Sequence, residues 1–161
     1  MNRLLILPVL LLTLLVGTPA FSADFQKGVT AYKSGDYATA LREFTPLAEQ
    51  GYASAQFNLG LMYDKGQGVP QDYKTAVKWY RLAAEQGYAD AQTKLGVMYA
   101  KGQGVIQDFI YAHIWGNIAA MNGNELGAKL QDVVAGLLTP SQLKTAQKLT
   151  RECIAKNYKG C

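Results

Sequence analysis

Apolar side chains recur along this chain at helical spacing, and the same set of positions returns after a fixed interval. Ala55, Leu59, Met62 and Tyr63 fall at i, i+4, i+7 and i+8, and Ala91, Leu95, Met98 and Tyr99 reproduce the set, so each set forms one face of an amphipathic helix. A second helix is predicted from about Asp72, and again from about Asp108. Ala76, Trp79, Tyr80 and Ala83, then Ala112, Trp115 and Ala119, give it a broad apolar face. Asp72 and Asp108 stand where a side-chain oxygen caps the free amides of a first turn. Each stretch is therefore an antiparallel helix pair. Gly51 to Gln86 laid over Gly87 to Asn122 matches at 20 of 36 positions, and a period of that size marks a stacked array whose units bury their apolar faces against their neighbours. The predicted fold is all-α, an α-solenoid of antiparallel helix pairs. Such arrays usually display a binding surface and carry no chemistry of their own.

The joint between the two helices is the most distinctive segment. Lys65-Gly66-Gln67-Gly68-Val69-Pro70-Gln71-Asp72 is echoed as Lys101-Gly102-Gln103-Gly104-Val105-Ile106-Gln107-Asp108. A Gly directly after a helix accepts the left-handed backbone that closes it, and Pro70 discourages continuation. Two Gly one residue apart also resemble a phosphate-cradling loop, but no strand precedes them and no third Gly or Lys-Ser/Thr pair follows. Gly60 and Gly96 lie inside the first helix, where Gly costs about 1 kcal/mol relative to Ala. Their recurrence predicts a backbone approached closely by the partner helix, with Ala76 and Ala112 as the opposing residues.

The register extends in both directions and then decays. Asp36, Asp72 and Asp108 are spaced by 36, as are Ala40, Ala76 and Ala112, so a shortened leading pair with a second helix over Tyr37 to Gln50 precedes the two full units. After Asn122, Gly123 keeps the register. Leu126, Leu130, Val133, Val134 and Leu137 keep a helical stripe, but Leu138-Thr139-Pro140-Ser141-Gln142 replaces the Gly-rich joint. Thr139 as cap, Pro140 in the first turn and Gln142 reaching back mark a helix start. That last helix, to about Asn157, places Leu143, Ala146, Leu149, Cys153 and Ile154 on one side and Lys144, Lys148 and Arg151 on the other, and reads as the terminal capping helix. The organisation is a leader over 1–22, a leading pair over 24–50, units over 51–86 and 87–122, and capping helices over 123–161.

The leader has the layout of a secretory signal peptide. A short positive start at Arg3 precedes an almost wholly apolar run from Leu4 to Val16 and a small, turn-prone stretch to Ala23. The run is too short to span a bilayer, which takes about 20 apolar residues. Cleavage is expected after Ser22, with Ala20 the competitor, giving an exported, periplasmic or secreted protein with no stable membrane insertion. The formal charge of +4 is mild, and without Arg3 the chain keeps 15 basic against 12 acidic side chains, too slight an excess to argue for nucleic acid. The excess is local, since Thr139 to Cys161 holds five basic residues and one acid.

The two Cys, Cys153 and Cys161, both lie in the cap. In a continuous helix eight residues would separate them by about 12 Å, beyond the roughly 4.4–6.8 Å a disulfide allows between Cα atoms. A pairing therefore requires the helix to stop, with Lys159-Gly160 as the reversal, and export supplies an oxidising compartment. A metal site is the weaker reading, because only His113 could join two Cys and zinc takes four ligands. His113 is the sole histidine; in the 36-residue register it takes the place of Val77 and Leu41, which predicts a partly buried structural role. No Ser or Cys nucleophile stands near a base. No catalytic residue, cofactor or metal is expected.

The pattern A-x-A-Q-x-x-L-G-x-M-Y-x-K-G-Q-G-V-x-Q-D, followed by A-x-x-W and A-A, resembles the Sel1-like repeat (SLR), a relative of the tetratricopeptide repeat, across Gly51 to Asn122. The leading pair, Gly28 to Ala40, is closer to the tetratricopeptide form. The resemblance implies a superhelix that binds a protein or peptide, here a non-catalytic interaction module of the cell envelope. In related solenoids the first helices line the concave side, and by that analogy Gln26, Val29, Asn58, Leu61, Lys65, Lys94, Val97 and Lys101 form the partner-binding face. The alternative surface is the basic stripe Lys144, Lys148 and Arg151, facing an acidic protein, an envelope polymer or a membrane surface. Cys-rich exported relatives are associated with β-lactam binding or hydrolysis, the main enzyme alternative. They carry a Cys pair in each repeat, whereas this chain has none in its repeats.

Overall fold

The computed structural model describes residues 23–161; the predicted leader, 1–22, lies outside them. Every regular element among the described residues is helical: α1 (Phe25–Ser34), α2 (Tyr37–Glu49), α3 (Ala53–Lys65), α4 (Tyr73–Ala84), α5 (Ala89–Lys101), α6 (Phe109–Met121), α7 (Glu125–Ala135) and α8 (Pro140–Ala155). Each helix from α1 to α6 packs on the next, giving the predicted all-α solenoid. The odd-numbered helices α1, α3, α5 and α7 form one layer, and α2, α4 and α6 the other.

The aspartates spaced by 36 start the outer helices. The Asp36, Asp72 and Asp108 carboxylates each accept backbone amides of the first turn. Hydrogen bonds from Thr39 and Thr75, first from the side chain and then from the backbone amide, hold Asp36 and Asp72 below the ordinary carboxylate range. Gly66 and Gly102 close α3 and α5 with φ of 67° and 68°, the left-handed backbone that only Gly adopts without strain. The second Gly of the joint has a different role. A Cβ on Gly68 would sit 2.8 Å from the Tyr37 Cβ, and one on Gly104 would strike the Tyr73 carbonyl, so each joint is seated on the start of the preceding outer helix.

The core runs continuously through the two full units and into the cap. Tyr80, Trp115, Leu95, Met98, Ile114 and Ile118 are buried with Ala76, Ala83, Ala91 and Ala146, while Phe44, Ala40 and Met62 form the core of the leading pair. Gly60 and Gly96 are both closely approached by the partner helix, as predicted, but the expected small residue opposes only Gly96. A Cβ on Gly60 would lie 2.7 Å from the Tyr80 ring, not against Ala76. On Gly96 it would meet Leu130 at 2.8 Å and the Ala112 carbonyl at 3.2 Å. A large ring therefore takes the place expected of a small side chain in the first unit.

The end of the array departs most from the sequence reading. The predicted stripe on α7 splits into two faces: Val134 is buried and Leu130 half-buried, but Leu126, Val133 and Leu137 are 64%, 67% and 58% exposed. The physical reason is α8. The predicted capping box of Thr139 and Gln142 is present, yet α8 turns back to pack on α6 through Ala146, Leu149 and Cys153 and leaves the far side of α7 uncovered. Trp79, predicted for the core, is half-buried, unlike Trp115. The last helix ends at Ala155, two residues before the predicted limit, and the chain reverses at Asn157 and Tyr158 (φ 51° and 66°) as well as Gly160. Cys153 and Cys161 are bonded, with their Cα atoms 5.6 Å apart. Among the described residues no helix is long and apolar enough to cross a membrane.

Candidate functional site

The inner layer is held in place by two sets of repeated polar contacts. Gln56 donates its amide to the Ala48 carbonyl of the preceding outer helix (3.1 Å) and accepts from the Gln86 amide of its own unit (2.7 Å). One unit on, Gln92 donates to Ala84 (3.1 Å) and accepts from Asn122 (2.9 Å). Both central glutamines are buried, so each satisfied bond matters more than its net worth of about 1 kcal/mol, because the unpaired group would cost 1–3. At the other end of each inner helix, Gln71 donates to the Asp64 carbonyl and Gln107 to the Ala100 carbonyl. The sequence reading missed these clasps, although the same amides stand at the same offset.

The predicted partner-facing residues occupy non-core positions of the inner helices. Gln26, Lys65 and Lys101 are exposed, and Val97 is half-buried. Val29 and Leu61 are half-buried, resting on the core of the leading and full units respectively. Asn58 is turned back on its own helix, its amide donating to the Ser54 carbonyl at 2.7 Å. Lys94 is paired with Asp64 at 3.8 Å, a contact that brings α5 beside α3. Asp64 also accepts from the Tyr80 hydroxyl at 3.0 Å. Burial, reinforced by that carboxylate, pushes Tyr80 up, so it remains a protonated donor.

On the cap, Lys144, Lys148 and Arg151 are exposed along one face of α8, with Lys148 paired to Glu152 at 3.8 Å. The disulfide holds the tail over the junction of α4, α5 and α6. There Arg81 donates one guanidinium N–H to the Cys161 carbonyl (2.8 Å) and another to the Tyr99 hydroxyl (2.6 Å), while Tyr99 stacks on Tyr111. The cleft beneath the tail measures about 60 Å³, far below the roughly 300 Å³ at which ligand pockets begin. His113 is 2% exposed, more deeply buried than predicted, and its Nδ1 has no partner among the described residues. Burial holds the imidazole below its usual pKa, so it stands neutral.

The repeat geometry matches a known family. Its pattern, the Sel1 repeat, covers residues 53–88 and 89–124, from the first residue of α3 and of α5 respectively. This is a Sel1-like repeat protein. Among solved structures with this SLR fold, a protective antigen of uropathogenic Escherichia coli strains superposes with a TM-score of 0.77 and 32% identity, over 81% of this chain and 30% of that one. A Sel1 repeat protein from Oxalobacter formigenes gives a TM-score of 0.65 and 33% identity, over 67% of this chain and 44% of its own. DAP3-binding cell death enhancer 1 of Rattus norvegicus and of Mus musculus is 41% identical over 44 residues, 27% of this chain and 9% of theirs. The SLR chain thus spans less than half the length of each of these relatives. Sel1 repeats are in general protein-interaction modules.

Proposed function

We propose that this protein is a non-catalytic interaction module, exported to the cell envelope, that holds a protein or peptide on the concave layer formed by α1, α3, α5 and α7. One observation carries the reading. The frame is satisfied from within by its caps, core and buried amide clasps, whereas Lys65 and Lys101 sit exposed on the inner helices, free of any ion pair among the described residues. The leader-like start of the chain and the Cys153–Cys161 bond support export, since such bonds persist in oxidising compartments.

The test is crosslinking in the native envelope, followed by identification of the captured partner, with two variants run beside it. Leu61→Glu with Val97→Glu removes capture while leaving the melting temperature within a few degrees. Charge reversal of Lys144, Lys148 and Arg151 leaves capture intact. The opposite pattern moves recognition to the basic stripe of α8 and overturns the concave-face assignment.

A further inference from the structure

The inner layer carries more than the residues expected to line it. The 36-residue register continues past the point where the sequence pattern decays: Val133 follows Leu61 and Val97, Leu137 follows Lys65 and Lys101, and Leu126 follows Asp90. In the leading pair the offset is set by packing. Gly28 lies under Phe44 as Gly60 lies under Tyr80, which places Val29 in the row of Leu61 and Lys33 in the row of Lys65. Two rows therefore cross the inner layer, an apolar one of Val29, Leu61, Val97 and Val133, and a basic one of Lys33, Lys65 and Lys101.

Exposure is not uniform along these rows. Val29, Leu61 and Val97 are half-buried, but Val133 is 67% exposed and is flanked by Leu126 and Leu137 at 64% and 58%. Leu126 and Val133 lie on the face of α7 that α8 leaves open, and Leu137 follows just past the end of that helix. The basic row is exposed throughout, and none of its lysines has an ion-pair partner among the described residues. Each lysine is in the last turn of its helix, where the helix dipole already favours a cation; the dipole does not neutralise it. On α7, Lys129 stands about 60° around the helix from Leu126 and about 40° from Val133, whereas Glu125 is about 100° and about 80° from them and Asp132 about 120° and about 100°. The apolar patch thus has a cation nearest its edge.

We propose that the inner layer takes an amphipathic segment of a partner protein, whose apolar side chains seat on Val133, Leu126 and Leu137 and whose flanking carboxylates meet Lys33, Lys65 and Lys101. The proposal rests on the interaction-module reading and adds to it the chemistry of the partner and the position of the anchor. Charge complementarity selects an acidic segment over a basic one: the three lysines of the basic row are exposed and free of ion pairs among the described residues, whereas Asp90, the carboxylate in the row of Leu126, accepts from the Asn124 amide at 2.6 Å. A second copy stacking end to end fits poorly: none of the large apolar side chains exposed among the described residues lies on α1 or α2, so the leading end offers no matching apolar face.

The probe is a fluorescent helical peptide of about four turns, Leu along one stripe and Glu on its flanks, with Glu→Lys and Leu→Ser analogues, titrated by anisotropy against the full exported protein. The Glu peptide binds and both analogues bind at least about tenfold more weakly, a difference of about 1.4 kcal/mol. Val133→Glu and the Lys65→Glu, Lys101→Glu pair each reduce its affinity by a similar factor with unchanged circular dichroism, and rising salt weakens binding. Equal binding of the Lys analogue, or no loss in either variant, overturns the proposal. So does concentration-dependent dimerisation abolished by Val133→Glu in sedimentation, which assigns the face to a second copy, or Val133-dependent binding to phosphatidylcholine–phosphatidylglycerol vesicles, which assigns it to a membrane. Crosslinked capture that depends on Leu61 and Val97 while the peptides show no charge preference leaves the module reading standing and removes only this refinement.

Discussion

The two full units use one register to solve the same steric problem in opposite ways. In the first, Tyr80 lays its ring over Gly60 and sends its hydroxyl to Asp64. In the second, the position 36 residues later is Gly116, and the space beside Gly96 is filled by Leu130 from the following helix. With no ring to hold them apart, α6 and α7 come so close that a Cβ on Gly116 would lie 3.1 Å from backbone atoms of Gly127 and Gln131. The first unit fills the space beside its glycine from its own second helix; the second needs the helix after it. Its Trp115 is fully buried, whereas Trp79 in the first unit is half-exposed, because α6 is covered by α8 and α4 has no equivalent blanket.

If the first unit is self-sufficient through Tyr80, then Tyr80→Ala is the most damaging single change. Loss of a fully buried aromatic costs roughly 3–5 kcal/mol, and thermal unfolding of the variant should show hydrogen exchange rising first in α3 and α4. The next effect belongs to the cap that covers the second unit. Cys161→Ser removes a staple that closes a short loop, worth about 2–3 kcal/mol in the chain-entropy account. Exchange should rise in α8 and the tail while α1 and α2 keep their protection, and uniform loosening would refute the localisation. Gly116→Ala is smaller, about 1–3 kcal/mol of overpacking at the α6–α7 crossing, and the matched Gly127→Ala should be non-additive with it in a double-mutant cycle.

The smallest effect separates the units by pH. His113, where the first unit has Val77, is held below the ordinary imidazole value of 6.5 by burial. The unfolded chain therefore binds a proton that the folded chain refuses. Stability falls as pH drops from about 6.5 towards the lowered folded value, and His113 contributes no slope above that window. The Asp24 amide, and then Lys27, hold the Glu43 carboxyl below its ordinary value of 4.5, so its contribution is present above that value and lost as pH falls through the depressed one. Chemical denaturation across pH 7 to 3 should show two successive losses, and His113→Val should flatten only the first.

Local rules carried the sequence reading a long way. The capping aspartates, the closing glycines, the capping box at Thr139 and the Cys153–Cys161 bond follow from short-range chemistry or from the period, and the structure holds all of them. The failures are all tertiary. Nothing in the spacing of Leu126, Leu130, Val133 and Leu137 says that α8 will leave α7 for α6, and the stripe therefore looked like core. Nothing around Gly60 distinguishes Ala76 from Tyr80 as its neighbour until the crossing of the two helices is known. Of the inner face, Lys65, Leu61 and Lys101 were legible by analogy, whereas Lys33 and Val133 required the offset that Phe44 and Tyr80 fix in three dimensions.

The buried amide clasps give the array a direction. Each unit offers a glutamine that grips the helix behind it, Gln56 on Ala48 and Gln92 on Ala84, and the position that would carry this grip into a further unit is Ala128. The connector is therefore present at every internal boundary and missing at the last. A unit duplicated between Gln50 and Gly87 brings its own glutamine and finds a carbonyl waiting, whereas one appended after α7 would find neither. A lineage of such chains can lengthen from the middle while its ends stay fixed, so the number of inner helices, and the length of segment they grip, can change without redesigning either terminus.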